Sequence, residues 1–293
     1  MSLACCLVIG LKGKRLGMST PIVKVFTLSA DCLLSGVFLG VLASGVAWGP
    51  GTPASASIKG VSLLGLAISG LLVGGGARLA GGCTSGHGVS GVALLSPSSI
   101  IAVMLFMIGG FISANLPDLA GRFPLTSIYS AAGDRGAIGL AVASGLAALI
   151  SIRKGSFDFS GLVIGGAAGF IFGKGLEASG MSKPENVMNF LKISPQWTPA
   201  LLVLMGTAVC LNFLAFGAIL KAKKPLLGQK FDLPPSKLSL KPIVGGLIFG
   251  IGWGIAGVCP GPFIANIAKV SPEFTLAFGV PLVISMALVD KLF

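Results

Sequence analysis

Charge is what this chain has least of. Only 10% of its 293 residues are Asp, Glu, Lys or Arg, where a soluble domain carries about 25%. Histidine occurs once, and the six cysteines (Cys5, Cys6, Cys32, Cys83, Cys210 and Cys259) contain no CxxC pair. One histidine cannot complete a Cys/His zinc site, so no metal and no cofactor is expected. Long polar segments are missing as well. The longest polar connections, 117–135 and 221–241, are too short for a soluble domain, so the net charge of +12 does not mark a nucleic-acid-binding module. It sits on loops, where lipid headgroups or an anionic solute feel it.

What is present is apolar. Hydrophobic residues make up 54% of the chain, with 45 glycines. Runs free of Lys, Arg, Asp, Glu and His cover 32–58, 60–77, 88–117, 136–152, 159–173, 193–220, 242–268 and 274–289. Most approach or exceed the roughly 20 residues that cross a bilayer core as helix. They do not alternate polar and apolar as barrel strands would. The sequence therefore predicts an all-α polytopic membrane protein. The apolar start, LACCLVIGL, precedes Lys12, Lys14 and Arg15 rather than following a charged stretch. That order is the reverse of a signal peptide, so it reads as a first membrane helix.

The chain repeats itself. Gly17-Met18-Ser19-Thr20-Pro21 recurs as Gly180-Met181-Ser182-Lys183-Pro184, each after a short apolar helix. Each is followed by a short stretch (22–26 and 185–192) and a long helix (about 28–49 and 198–220). A polar loop, a glycine-rich helix ending in cysteine and a last helix (about 98–116 and 272–290) complete each half. We therefore divide the chain into a first repeat, 1–117, a linker, 118–155, and a second repeat, 156–293. The linker holds one extra helix, about 135–152. With it the count is about nine transmembrane helices, and the second half enters inverted. On that count one side collects most of the basic residues, among them Lys12, Arg78, Arg153, Lys221 and Lys291. The positive-inside rule makes that side cytoplasmic, with the N-terminus out and the C-terminus in, at a plasma or inner membrane.

Two strings stand out, GGCTSGHG at 81–88 and GVCPGP at 257–262. Glycine costs about 1 kcal/mol against alanine in a helix interior, so these strings do not serve helix stability. Close helix packing explains the glycines of 65–76. It does not explain Gly82-Cys83-Thr84-Ser85-Gly86-His87-Gly88, whose polar atoms would be stranded in hydrocarbon. Such a string should break the helix and line a cavity. Thr84 and Ser85 are expected as N-caps of a new short helix whose free amides favour an anion. Pro260 and Pro262, around Gly261, interrupt the second half just past Cys259.

Other residues carry competing readings. His87 either caps a neighbouring carbonyl or lines the solute path. Arg78 either snorkels to the interface or draws anions toward the loop. Cys32 and Cys210 read as small hydrophobes within apolar helices. Lys174 and Glu177, three apart, read as a structural pair. Asp31 and Glu177 otherwise stand isolated near helix ends, so no carboxylate relay for proton coupling is expected.

At these residues the chain resembles the YeeE/YedE family of sulfur-transport membrane proteins. Residues 82–88 match the family's Gly-Cys-Thr-Ser-Gly-His-Gly loop. The second half is similar to the companion type in Ser-Gly-Met-Ser-x-Pro at 179–184 and in Phe-Gly-Ile-Gly-Trp-Gly-Ile-Ala-Gly-Val-Cys-Pro-Gly-Pro at 249–262. Both half-types look fused in one chain. The resemblance implies uptake of thiosulfate or a related sulfur anion through an hourglass constriction, where thiols pass the ion along by hydrogen bonds without covalent capture. By position Cys83 and Cys259 would be those thiols. Thiosulfate-carrying members place a third cysteine after the first short helix. Here that stretch is Lys14-Arg15-Leu16-Gly17-Met18, and Met18 and Met181 are the soft groups expected to line the path instead.

The implied partners are a small sulfur-containing anion and the lipid bilayer. The competing reading is an enzyme, a membrane sulfurtransferase that carries a persulfide on Cys83 and hands sulfur to a cytoplasmic acceptor protein. That chemistry needs cations close to the thiol, and Arg78 and His87 are the candidates. Paired cysteines favour conduction, since catalysis needs only one.

Overall fold

The computed structural model describes residues 1–27, 31–47, 62–116, 158–234, 238–267 and 269–292. The extra helix expected at 135–152 lies outside the described residues. The first half runs α1 (Ser2–Lys12), α2 (Ser19–Phe26), α3 (Cys32–Ala47), α4 (Leu63–Ala80), a π-helical segment (Thr84–Gly91) and α5 (Pro97–Asn115). The second half runs α6 (Phe159–Ala178), α7 (Pro184–Leu191), α8 (Ala200–Leu220), α9 (Leu240–Ala256) and α10 (Pro260–Asn266). It ends with α11 (Pro272–Leu292), which carries a π turn at Thr275–Gly279. The protein is an all-helical polytopic membrane protein. Six described stretches are long and apolar enough to span a bilayer, and α1 and α3 are shorter apolar helices. The short stretches expected at 22–26 and 185–192 are helices in their own right, α2 and α7.

Polar residues set the helix ends. Ser62 accepts the Gly65 amide at 3.0 Å at the start of α4, and Asp158 accepts the Gly161 amide at 2.9 Å at the start of α6. Each bond satisfies one of the amides that a helix start leaves open. Asp158 also takes the Lys12 ammonium at 2.6 Å, which ties the end of α1 to the beginning of α6. The hydrogen bond from Lys12 is the main reason the Asp158 carboxyl is held down at about 2. The basic segment after α8 folds back on α1. Leu226 and Leu227 donate their amides to the carbonyls of Gly10 and Leu11, so the C-terminal carbonyls of α1 are not left open.

Glycine explains the closest contacts. A Cβ at Gly40 of α3 would collide with the Gly166 carbonyl of α6, and one at Gly165 would collide with the Leu33 carbonyl. The two backbones touch, as small residues allow in a bilayer. Contacts between the halves recur with the halves exchanged. Helix α3 packs on α6 as α8 packs on α1; α5 packs on α9 as α11 packs on α4; α4 and α9 pack on each other. Among the six spans Leu240–Asn266 is the most enclosed, 72% buried against 17% for Ala200–Leu220, so α9 and α10 form the centre and α8 the exposed rim.

Candidate functional site

Both cysteine strings break their helices in the same way. Helix α4 ends at Ala80 with Gly81 left-handed at φ 81°, and α9 ends at Ala256 with Gly257 left-handed at φ 68°. Only glycine adopts that turn freely. Two residues on, Cys83 and Cys259 stand in extended backbone as the caps of the next helical pieces. The cap position expected for Thr84 or Ser85 therefore belongs to Cys83, and the two hydroxyl residues form the first turn behind it. The break in the second half likewise precedes the prolines: Pro260 opens α10 at a position that needs no amide proton.

With the cap taken by Cys83, the hydroxyls are free to reach sideways. Thr84 Oγ1 donates to the Cys259 thiol of the other half at 3.5 Å. Ser85 Oγ lies 3.1 Å from Cys83 Sγ and accepts the Met18 amide at 3.2 Å. Further along the same π segment, Ser90 donates to Cys5 Sγ at 3.7 Å and to the Leu16 carbonyl at 3.2 Å. One helical segment thus presents a hydroxyl to each of three buried thiols.

A cavity opens beside Cys83. Of the residues singled out in the sequence, Met18, Met181, Cys83, Thr84, Ser85, Gly261 and Pro262 line it, together with Met1, Met205, Phe172 and Leu176. Its volume of about 10 Å³ matches one water-sized sphere. The lining is rich in sulfur and poor in charge, a surface suited to a polarizable solute rather than a strongly hydrated one.

The remaining singled-out residues sit outside that lining. Cys259 lies behind Thr84 and is buried, 2% exposed. Both ring nitrogens of His87 are engaged, Nε2 with the Ala80 carbonyl at 2.9 Å and Nδ1 with Ser99 Oγ at 3.0 Å. His87 thus closes the end of α4. Gly82 leaves room for that ring, and Gly86 faces Gly17 at backbone distance. Pro260 is buried at the start of α10.

The charged residues also have partners. Arg78 is bound to Asp290 of α11 and to Thr20, not directed at the loop. Asp31 and Glu177 are not isolated. Asp31 pairs with Lys14 at 2.9 Å, and Glu177 takes both Lys269 at 2.6 Å and Lys174 at 3.5 Å. Cys32 is more than a small hydrophobe, since its sulfur accepts the Asp158 amide at 3.3 Å. Sequence reasoning missed Met1, Met205 and Ser90, because nothing in their neighbours' spacing distinguishes them from ordinary helix residues. It named Arg15 without a role; that residue is half-buried three positions before Met18, and its Nε donates to the Asp232 carbonyl at 3.2 Å.

Residues 15–112 match a family described as sulphur transport, and residues 160–293 match a family of unknown function, DUF6691. A protein of Xylella fastidiosa strain 9a5c, named "Probable transporter", is 43% identical over 104 residues, covering 35% of this chain and 71% of that protein. A counterpart in strain Temecula1 shows the same identity over the same length. The chain belongs to the YeeE/YedE-type sulphur-transport family. A second protein of strain 9a5c, also named "Probable transporter", is 53% identical over 47 residues, covering 16% of this chain and 35% of that protein.

Proposed function

We propose that this family member carries a small sulfur-containing anion, thiosulfate or a related species, across the membrane through the constriction between its halves. One observation carries the reading: the Thr84 hydroxyl of the first half reaches the Cys259 thiol of the second, beside a cavity lined by Cys83. Thiols are weak donors on polarizable atoms, so they hold a soft anion loosely enough to release it. Conduction needs that balance of entry and exit. The methionines extend the same soft surface, and the amides of Thr84, Ser85 and Gly86 open the π segment toward negative charge.

The same reading takes the halves 1–117 and 156–293 as inverted repeats around the linker 118–155. The N-terminus is then outside and the C-terminus cytoplasmic, in a plasma or inner membrane. Persulfide chemistry on Cys83 has less support. Its two expected activating groups are engaged elsewhere, Arg78 by Asp290 and His87 by Ala80 and Ser99.

The test is uptake of labelled thiosulfate, sulfide, sulfite and sulfate into vesicles holding the purified protein. Faster accumulation of at least one of the reduced species than in protein-free vesicles is expected. Equal accumulation of all four in both would overturn the proposal.

A further inference from the structure

Among the described residues, two buried side-chain atoms find no hydrogen-bond partner, Asn212 Oδ1 and Trp253 Nε1. Each belongs to a residue beside a thiol, Asn212 at Cys5 and Trp253 at Cys259. The first side chain is anchored by its other end, since Asn212 Nδ2 donates to the Val89 carbonyl at 3.1 Å. The second carries a single polar atom: an indole N–H only donates, its direction is fixed by the ring plane, and the polar group beside it is the weakly accepting Cys259 sulfur.

That ring cannot turn to find water. Trp253 is 0% exposed, with the Phe249 ring 6.4 Å away, centroid to centroid. The glycines on either side hold the backbone against neighbouring helices. A Cβ at Gly254 would collide with the Gly110 carbonyl, and one at Gly252 would press on the Ser69 carbonyl at 2.9 Å. The helix carrying the indole is therefore locked between α4 and α5. Cys259, beside it, already accepts the Thr84 hydroxyl. A locked, buried donor whose neighbour is a weak and already shared sulfur acceptor loses the hydration it had in water and gains little in return. Such a group is open to a stronger acceptor that arrives beside it.

We propose that the Trp253 indole N–H is an anion donor at the second-half side of the constriction, and that it receives the sulfur anion together with the Thr84 hydroxyl and the Cys259 thiol. This rests on the transport reading above. All three groups are uncharged donors, so the set selects an anion over a cation and releases it again. Trp253 determines specificity here through direct contact with the solute, and the packing of Gly252 and Gly254 sets its aim.

The experiment uses the full chain in vesicles with labelled thiosulfate. Trp253→Phe keeps an aromatic ring and removes the N–H. Half-saturation should rise by about tenfold, the loss of one hydrogen bond to a charged group, with the unfolding temperature within a few degrees of wild type. A second arm keeps Trp253 as the sole indole by replacing the other two tryptophans, Trp48 and Trp197, with Phe. Sodium thiosulfate should then shift its emission over the concentration range that saturates uptake, and sodium chloride should not. Wild-type half-saturation in Trp253→Phe would overturn the donor role while leaving transport intact. If that variant does not fold, unchanged emission during measurable uptake overturns the role. Absence of uptake by the wild-type protein overturns the transport reading and this inference together.

Discussion

Thr84 and Cys259, 175 residues apart in the chain, meet at 3.5 Å, hydroxyl to thiol. The bond joins the halves at the point where both central helices are broken. Thr84→Val keeps the side-chain volume and removes the donor. It should cost about 1 kcal/mol of stability and slow uptake several-fold. Combined with Cys259→Ala, the losses should add up to less than their sum, because the two residues share one interaction. Uptake assays and thermal unfolding of the four-member cycle measure the coupling. Strict additivity would mean that the contact does not operate in the working protein.

Cys83 and Cys259 occupy equivalent cap positions after left-handed glycines, so their removal should have parallel effects. Cys83→Ser and Cys259→Ser should each cut sulfur-anion uptake by an order of magnitude or more while membrane insertion stays normal. Serine keeps a hydrogen-bond donor of similar reach but loses the polarizable sulfur. Wild-type rates in both variants would sink the site assignment. Mass spectrometry of the wild-type protein, trapped after exposure to thiosulfate, should show no added sulfur on Cys83. A stable adduct there would point to transferase chemistry.

His87 makes two bonds that its neighbours cannot replace, to the Ala80 carbonyl and the Ser99 hydroxyl. His87→Phe leaves both partners unsatisfied in a buried place, which should destabilise the protein by about 2–4 kcal/mol. The fraction that folds should keep the wild-type half-saturation, since the ring does not line the cavity. A large rise in half-saturation with stability unchanged would return His87 to the solute path.

The helical class and most helix positions were legible because a bilayer imposes length and apolarity on every span. The cysteine strings were legible too, since glycine and proline punctuate both. What the sequence did not yield were pairings across distance. Arg78 lies more than 200 positions from Asp290, and Glu177 more than 90 from Lys269. Neither pairing leaves a local pattern. Cap assignment failed for a related reason. Thr84 and Ser85 have the chemistry of caps, but the Thr84 hydroxyl is drawn to the Cys259 thiol and the Ser85 hydroxyl to the Met18 amide, partners that only the tertiary fold brings within reach.

Lys12 and Asp158 tie α1 to α6 at the protein's polar edge, 2.6 Å apart. The Asp158 carboxyl titrates at about 2 in the folded protein, below its unfolded value near 3.9. A lowered carboxylate stabilises the fold above pH ~4, and the contribution disappears as pH falls through 2. Asp158→Asn keeps the capping oxygen and loses the charge. The variant should be slightly less stable than wild type at pH 6, by under about 1 kcal/mol for a partly exposed pair. The gap should close between pH 4 and pH 2. A gap that persists at pH 2 would mean the loss comes from the cap and not from the ion pair.

Met18 and Met181 recur at equivalent positions after the first helix of each half, and both line the cavity beside Cys83. Leucine matches methionine in volume, so the double variant Met18→Leu/Met181→Leu should fold normally, within about 1.5 kcal/mol of wild type. It loses the two thioether sulfurs, whose polarizability suits a sulfur-ended anion and offers sulfate nothing. Uptake measured for thiosulfate and sulfate side by side should therefore show a narrower preference for thiosulfate, by about three- to thirtyfold if each of the two lost sulfur contacts is worth ~0.3–1 kcal/mol. An unchanged ratio would assign discrimination to the thiols and hydroxyls alone and leave the methionines as packing. A ratio that falls without any loss of thiosulfate uptake would mean that the thioethers act by excluding sulfate.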